Sequence, residues 1–72
     1  MEDIMEKLIQ YMDWIIRMLE KYDQPHEKRI REHFYYNAYG ACSFAEWTIG
    51  KEVEEVWNTY EPRMSALVNR GE

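Results

Sequence analysis

The sequence predicts an all-α fold, a small antiparallel three-helix bundle formed by a single domain over residues 1–72. Three observations support this prediction. Apolar residues recur with the period of an α-helix in three segments of similar length. The breaks between the segments carry Pro25 and Gly50, residue types that favour the start and the end of a helix. Both connections are short, and helices joined by short turns pack antiparallel.

The first helix is predicted over 3–22 because its apolar and polar residues separate cleanly around the helix axis. Its apolar half contains Ile4, Met5, Leu8, Ile9, Tyr11, Met12, Ile15, Ile16, Met18, Leu19 and Tyr22. This arc is close to 180° wide, whereas an ordinary surface helix buries a stripe of about 100°. Such an arc faces two neighbours, which are either the other two helices or one helix and a second protein chain. Trp14 stands apart on the polar side, between Lys7 and Arg17.

The second helix is predicted over 25–48, with Pro25 at its first position. The apolar phase continues through Gly40, which favours one unbroken helix. The alternative is a break at Gly40, because Ser43-x-x-Glu46 fits the capping box of a new helix. Glycine in a helix interior costs up to ~1 kcal/mol relative to alanine, so an unbroken helix requires a packing reason for Gly40. The predicted buried face consists of Ile30, Phe34, Ala38, Ala41 and Ala45.

The third helix is predicted over 51–69 and kinked at Pro62, since the apolar phase is kept across the proline. A short non-helical joint before residue 62 is the alternative. The predicted core of the bundle contains Leu8, Met12, Ile15, Leu19, Ile30, Phe34, Ala41, Val53, Val56, Trp57 and Tyr60.

Composition and charge narrow the class of protein. The chain is 46% hydrophobic and carries a net charge of −5, which fits a folded domain and disfavours binding to nucleic-acid phosphates. No apolar run approaches the ~20 residues that cross a bilayer, and the acidic start does not resemble a signal peptide. Cys42 is the single cysteine and has no internal disulfide partner. Together these features predict a cytoplasmic protein that does not act at a membrane.

No metal, cofactor or catalytic site is predicted. His26 and His33 are seven residues apart, roughly 10 Å along a helix, and Cys42 projects to another side. No serine or cysteine has a neighbour at the spacing of an activated nucleophile, and no glycine-rich phosphate loop occurs. The chain is therefore predicted not to be an enzyme. The cluster of Lys28, Arg29 and Arg31 points in three directions and predicts a solvated helix start.

One stripe of the second helix predicts an interaction surface. Tyr36, Tyr39, Ser43 and Trp47 line one side of it, with Gly40 beside them and the predicted buried face opposite. Large aromatic residues clustered away from a core are typical of a binding surface. Small residues among the rings would let another helix approach closely. We therefore predict a protein interface at this stripe, with Trp14 as a weaker candidate.

Three functional hypotheses follow. The leading one is a small acidic protein of the regulator or inhibitor type, which binds a protein partner, most simply a second copy of itself, through the aromatic stripe. The first alternative is an acidic nucleic-acid mimic that inhibits a nucleic-acid-binding enzyme and is encoded by a phage or mobile element. The second is a helical DNA-binding module, which would require a basic face. Salt distinguishes the first two, because a mimic loses affinity steeply as salt rises.

Overall fold

The computed structural model describes residues 3–71 as a bundle of three α-helices. Helix α1 spans Ile4–Lys21, α2 spans Lys28–Ile49 after a 3₁₀ turn at Pro25–Glu27, and α3 spans Val53–Val68. Each helix packs against the other two, within a body of 40 × 19 × 16 Å. The predicted three-helix bundle is confirmed. The acidic start at Met1 and Glu2 lies outside the described residues.

Local side-chain signals set the helix ends. The Asp3 carboxylate caps α1 by accepting the Met5 N–H at 3.0 Å. Gln24 and Glu27 form a reciprocal capping box around Pro25, and the Glu27 carboxylate accepts the Gln24 N–H at 3.1 Å. Gly50 ends α2 with φ of 101°, a left-handed conformation that favours glycine. These caps explain why the sequence signals at the turns were reliable.

Both helices with an unusual interior residue are unbroken. Helix α2 continues through Gly40, so the predicted single helix is confirmed and the alternative start at Ser43 is wrong. Helix α3 likewise continues through Pro62, without the alternative joint. Pro62 and Asn58, whose carbonyl would normally accept the missing N–H, are both exposed. Water can therefore satisfy that carbonyl, and the core side of α3 stays continuous.

The core lies along the contact line of the three helices. Its buried apolar residues are Leu8, Met12, Ile15, Leu19, Ala38, Cys42, Ala45, Val53, Val56, Met64, Leu67 and Val68. Among the predicted core residues, Ile30 is wrong, because its side chain is 42% exposed. Phe34, Ala41, Trp57 and Tyr60 are partly buried and pack against the edge of the core.

The buried face of α2 is rotated from the predicted one. Its fully buried positions are Arg31, Ala38, Cys42 and Ala45, so the predicted alanines 38 and 45 are correct, whereas Ile30 lies outside. At 100° per residue the centre of the face differs by roughly 50° from the prediction. Small residues fill this face because they let α2 approach α1 and α3 closely. Larger apolar side chains on α2 are displaced to the flanks and to solvent.

Arg31 overturns the predicted solvated helix start, since its side chain is only 1% exposed. Its Nε donates to the Val68 carbonyl at 3.2 Å, and its Nη1 donates to the carbonyls of Tyr22 and Gln24 at 2.9 and 2.8 Å. Tyr22 and Val68 lie at the C-terminal ends of α1 and α3, where carbonyls lack helical partners and the helix dipole is negative. Arg31, in the first turn of α2, therefore bonds to the C-terminal ends of both α1 and α3.

Polar contacts also connect α3 to its neighbours. The Tyr35 hydroxyl of α2 donates to Glu61 at 2.8 Å, and the Tyr60 hydroxyl donates to Asp13 of α1 at 2.5 Å. Arg63 pairs with Glu20 of α1 at 3.1 Å, and both side chains are largely exposed. Exposed ion pairs contribute little to stability, so these contacts mainly fix how α3 is oriented.

Candidate interaction surface on the second helix

All five predicted stripe residues are exposed on α2. Among residues 3–71, Trp47 is the most exposed large apolar side chain, at 84%, and Tyr36 and Tyr39 are 67% and 55% exposed. Gly40 and Ser43 are exposed between them. The small residues on the opposite side of α2 are buried in the core. The stripe is therefore the solvent side of a helix that holds the bundle together through its other side.

Phe44 was missed by the sequence analysis and belongs to the same surface. Its side chain is 67% exposed, and its ring lies 6.1 Å from that of Trp47, centre to centre. The spacing could have revealed it, since Phe44 lies four residues after Gly40 and three before Trp47. We call Tyr36, Gly40, Ser43, Phe44 and Trp47 the outer face of α2.

A ladder of aromatic rings supports the α3 side of this surface. Tyr36 meets Tyr35 edge to face at 5.5 Å, and Tyr35 and Tyr39 both meet the Trp57 ring, at 5.8 and 5.4 Å. Glu61 accepts the hydrogen bond of the Tyr35 hydroxyl. Burial, and then this hydrogen bond, raise the pKa of Tyr35 to about 12. Tyr36 and Tyr39 thus rest on rings held by the bundle, so they offer a preorganised surface.

Among residues 3–71, nothing packs against the open side of Gly40. A Cβ atom placed on it would meet no heavy atom within 4 Å. Its φ is not positive, so the backbone does not require glycine either. The helix penalty of glycine, up to ~1 kcal/mol, therefore has no compensation within the described residues, 3–71.

Trp14 is not brought together with the stripe. Its side chain is 40% exposed, and its ring packs edge to face on Phe34 at 5.6 Å and near Tyr11 at 5.9 Å. These contacts lie between α1 and α2, whereas Tyr39 contacts α3. Trp14 thus belongs to a separate aromatic cluster on the other flank of α2, and intramolecular packing accounts for much of its ring.

A groove of about 330 Å³ runs between α2 and α3 beside the outer face, and we call it the acidic groove. It is lined by Tyr39, Cys42, Ser43, Glu46, Val53, Glu54, Trp57 and Asn58. Its charged lining consists of two carboxylates, those of Glu46 and Glu54, and its walls include two aromatic rings. Carboxylates beside aromatic faces attract a cationic side chain, through ion pairing and through cation–π contact.

Cys42 sits at the base of this groove as part of the core. Its thiol donates to the Met12 sulfur at 3.7 Å, and burial raises the pKa of the thiol. A buried thiol with a raised pKa is a poor nucleophile and a poor metal ligand. Among residues 3–71, His, Cys, Asp and Glu side chains form no group of three or more that could hold a metal ion.

Comparisons with protein-family models, with curated proteins and with solved structures found no match to this chain. Within the part of the chain that the structure describes, none of the helices has the length and apolar character needed to cross a bilayer.

Proposed function

We propose that this chain is an interaction protein of the regulator or inhibitor type, and that it associates with a second copy of itself through the outer face of α2. The observation that carries the proposal is the exposed row of Tyr36, Phe44 and Trp47 around an open Gly40. Rings of this size in water, clustered on one helix, are typical of a protein interface.

The exposed ring area fits an interface between two copies. Tyr36, Phe44 and Trp47 each expose two-thirds or more of their surface. Covering these three rings would remove roughly 400 Å² per protomer, about half of the roughly 800 Å² that each partner contributes to a stable interface. The rest would come from the backbone at Gly40 and from residues beside the rings.

Gly40 supports the proposal independently of the rings. A glycine on the seam of two helices lets their backbones approach closely, which compensates its low helix propensity. A two-fold pair brings the same residue of both copies together on its axis. Gly40, centred between Tyr36 and Phe44, is the position on α2 best suited to that axis.

We also propose a cytoplasmic location, supported by a single cysteine that is a free thiol. In that compartment the protein would act by covering a surface rather than by chemistry. Because one face serves for self-association and for any other partner, the two kinds of binding would compete.

The test is sedimentation equilibrium of the wild type and of Gly40→Glu over a wide concentration range. Glutamate is a good helix former, so the monomer should remain folded, but two carboxylates would meet on the two-fold axis. We expect a reversible wild-type dimer and at least a roughly tenfold weaker association in the variant. Gln10→Glu, an equal charge change on the exposed side of α1, is the matched control and should associate like the wild type. A wild type that stays monomeric at millimolar concentration would rule out self-association.

A further inference from the structure

We infer that the two copies pair with their α2 helices antiparallel about Gly40, so that Arg29 of one protomer lies on the acidic groove of its partner, near Glu46 and Glu54. This inference rests on the proposed self-association and adds its orientation and its charge contact. Two observations carry it: the spacing of the exposed residues along α2 and the distribution of charge between its two ends.

The exposed residues of α2 are spaced symmetrically about Gly40. Tyr36 and His33 lie 4 and 7 residues before it, Phe44 and Trp47 lie 4 and 7 residues after it, and Arg29 lies 11 residues before it. Residues at these separations fall within about 40° of one helix face. Steps of three and four residues are typical of a coiled-coil seam, and here two steps of four meet at Gly40. All of these residues are exposed, so a single seam runs along the whole helix.

A two-fold axis through Gly40 would bring these symmetric positions of the two copies into contact. Tyr36 and His33 would then each face the residue equally far after Gly40 on the partner's α2, which ends nine residues after Gly40, at Ile49. Tyr36 would face the partner's Phe44, and His33 would face the partner's Trp47, which covers every large ring of the outer face. Arg29, about 16 Å along α2 from Gly40, would lie beyond the end of the partner's α2. It would be level with the turn that holds the partner's Lys51 and the partner's Glu52, next to the acidic groove.

The two ends of the seam differ in charge. At the N-terminal end, Lys28 and Arg29 lie beside two carboxylates, those of Glu32 and of Glu27, and Glu27 is engaged by the main chain of Gln24. Within residues 3–71, no side chain forms an ion pair with Arg29. At the other end, four acidic residues stand against one lysine, Lys51: they are Glu46, Glu52, Glu54 and Glu55. The N-terminal end thus offers an exposed arginine to an end with an excess of acidic residues.

Charge complementarity selects the antiparallel arrangement. Antiparallel helices bring the arginine of each copy to the acidic end of the other, where the groove offers the Glu46 and Glu54 carboxylates and the rings of Tyr39 and Trp57. Parallel helices would instead place Arg29 opposite Arg29 and the acidic ends side by side, which opposes association.

Charge reversal on separate chains tests the contact. Arg29→Glu and Glu54→Lys are each prepared and their association is measured alone and as an equimolar mixture, by sedimentation equilibrium and native mass spectrometry. In an antiparallel pair each variant alone places like charges at both ends, so we expect roughly tenfold weaker self-association. In the mixture both ends regain opposite charges, so the heterodimer should form with the wild-type affinity. Glu6→Lys, the same change in the first turn of α1, is the matched control and should leave association unchanged.

The other outcomes contradict the inference in distinct ways. If both variants self-associate like the wild type and their mixture binds more tightly, the helices are parallel. If both are weakened and the mixture is not restored, Arg29 and Glu54 do not meet. If neither variant differs while Gly40→Glu prevents association, the outer face stands and the charge contact is wrong. A monomeric wild type overturns the proposed self-association and this inference with it.

Discussion

Arg31 connects the N-terminal end of α2 to the C-terminal ends of α1 and α3. A buried arginine is expensive unless its donors are satisfied, and here they bind three main-chain carbonyls. Two of those carbonyls, of Tyr22 and Val68, belong to helix ends whose partial negative charge stabilises a cation. The guanidinium supplies donors in several directions at once, which a lysine ammonium does not match in reach or geometry.

We therefore expect Arg31→Met to lower the free energy of unfolding by about 2–4 kcal/mol, because it leaves three acceptors without their charged donor. Arg31→Lys should lose a smaller amount, since it keeps the charge and part of the bonding. Urea denaturation at monomeric concentrations measures both. Arg29→Met, an exposed position two residues earlier, should change stability by no more than about 0.5 kcal/mol. Equal effects at positions 29 and 31 would contradict the assigned role.

Trp57 and Trp47 are expected to contribute differently to the stability of the monomer. Trp57 is partly buried and supports both Tyr35 and Tyr39, so Trp57→Ala should destabilise the monomer by about 3 kcal/mol. Trp47 is mostly exposed and contacts chiefly Phe44, so Trp47→Ala should change the monomer by no more than about 0.5 kcal/mol. Urea denaturation of dilute samples compares them. A Trp47→Ala monomer as unstable as Trp57→Ala would mean that the outer face contributes to folding.

Tyr35 makes stability depend on pH at the alkaline end. Its pKa is about 12 in the folded protein, because of burial and then the hydrogen bond to Glu61, against 10.0 for an ordinary tyrosine. The stabilisation is therefore complete below pH 10 and is lost as the pH rises from 10 to about 12, where only the unfolded chain releases the proton.

We expect the free energy of unfolding to fall over this pH range and to fall less steeply in Tyr35→Phe. Denaturant titrations at a series of alkaline pH values give both slopes. Tyr36→Phe, which removes only a minor contribution to the raised pKa of Tyr35, is the control and should stay closer to the wild-type slope than Tyr35→Phe. The wild-type slope in Tyr35→Phe would show that this hydroxyl does not retain its proton on folding.

At the scale of the helices, the sequence predicted where each helix lies in the chain better than which side of the helix is buried. Pro25, Gly50 and the apolar phase located all three helices, because these signals act locally. The buried face of α2 was misplaced because apolar residues surround this helix, and the side facing the core is marked by small residues such as Ala38 and Ala45. Hydropathy favours Ile30 over Ala38 for burial, whereas close helix packing selects the smaller residue.

Long-range partners explain the rest of what the sequence did not predict. Arg31 bonds to Tyr22 and Val68, which are 9 and 37 residues away, so its burial depends on the assembled bundle. Charge alone assigned it to the surface. For the candidate site, the exposure of Tyr36, Tyr39 and Trp47 followed from helical phase. The acidic groove did not, because Glu46 and Glu54 come from different helices.

At the scale of the helix, a substitution at Gly40 is expected to change the stability of α2. The space around it is open and its backbone is helical, so Gly40→Ala should stabilise the monomer by about 0.5–1 kcal/mol and raise its helicity. Thermal unfolding of dilute protein by circular dichroism measures this gain. Gly50→Ala is the contrasting variant and should destabilise, because Gly50 has φ of 101°. A loss of monomer stability in Gly40→Ala would mean that the glycine serves the fold.

For the whole molecule, small size makes association valuable. A chain of 72 residues buries a limited core, and its stability increases with concentration if only the folded form dimerises. The bundle exposes rings along α2, which packs against both other helices. Self-association would cover that surface and stabilise the fold at the same time.

Disulfide formation at Gly40 tests the central claim most directly. If α2 pairs with itself across a two-fold axis, the two Gly40 backbones lie within the roughly 4–7 Å between Cα atoms that a disulfide bridges. Gly40→Cys should therefore form a covalent dimer rapidly under mild oxidation at low protein concentration. Gln10→Cys on the exposed side of α1 and the wild type, whose Cys42 is buried, should stay largely monomeric. Cross-linking of Gly40→Cys no faster than that of Gln10→Cys would contradict the account.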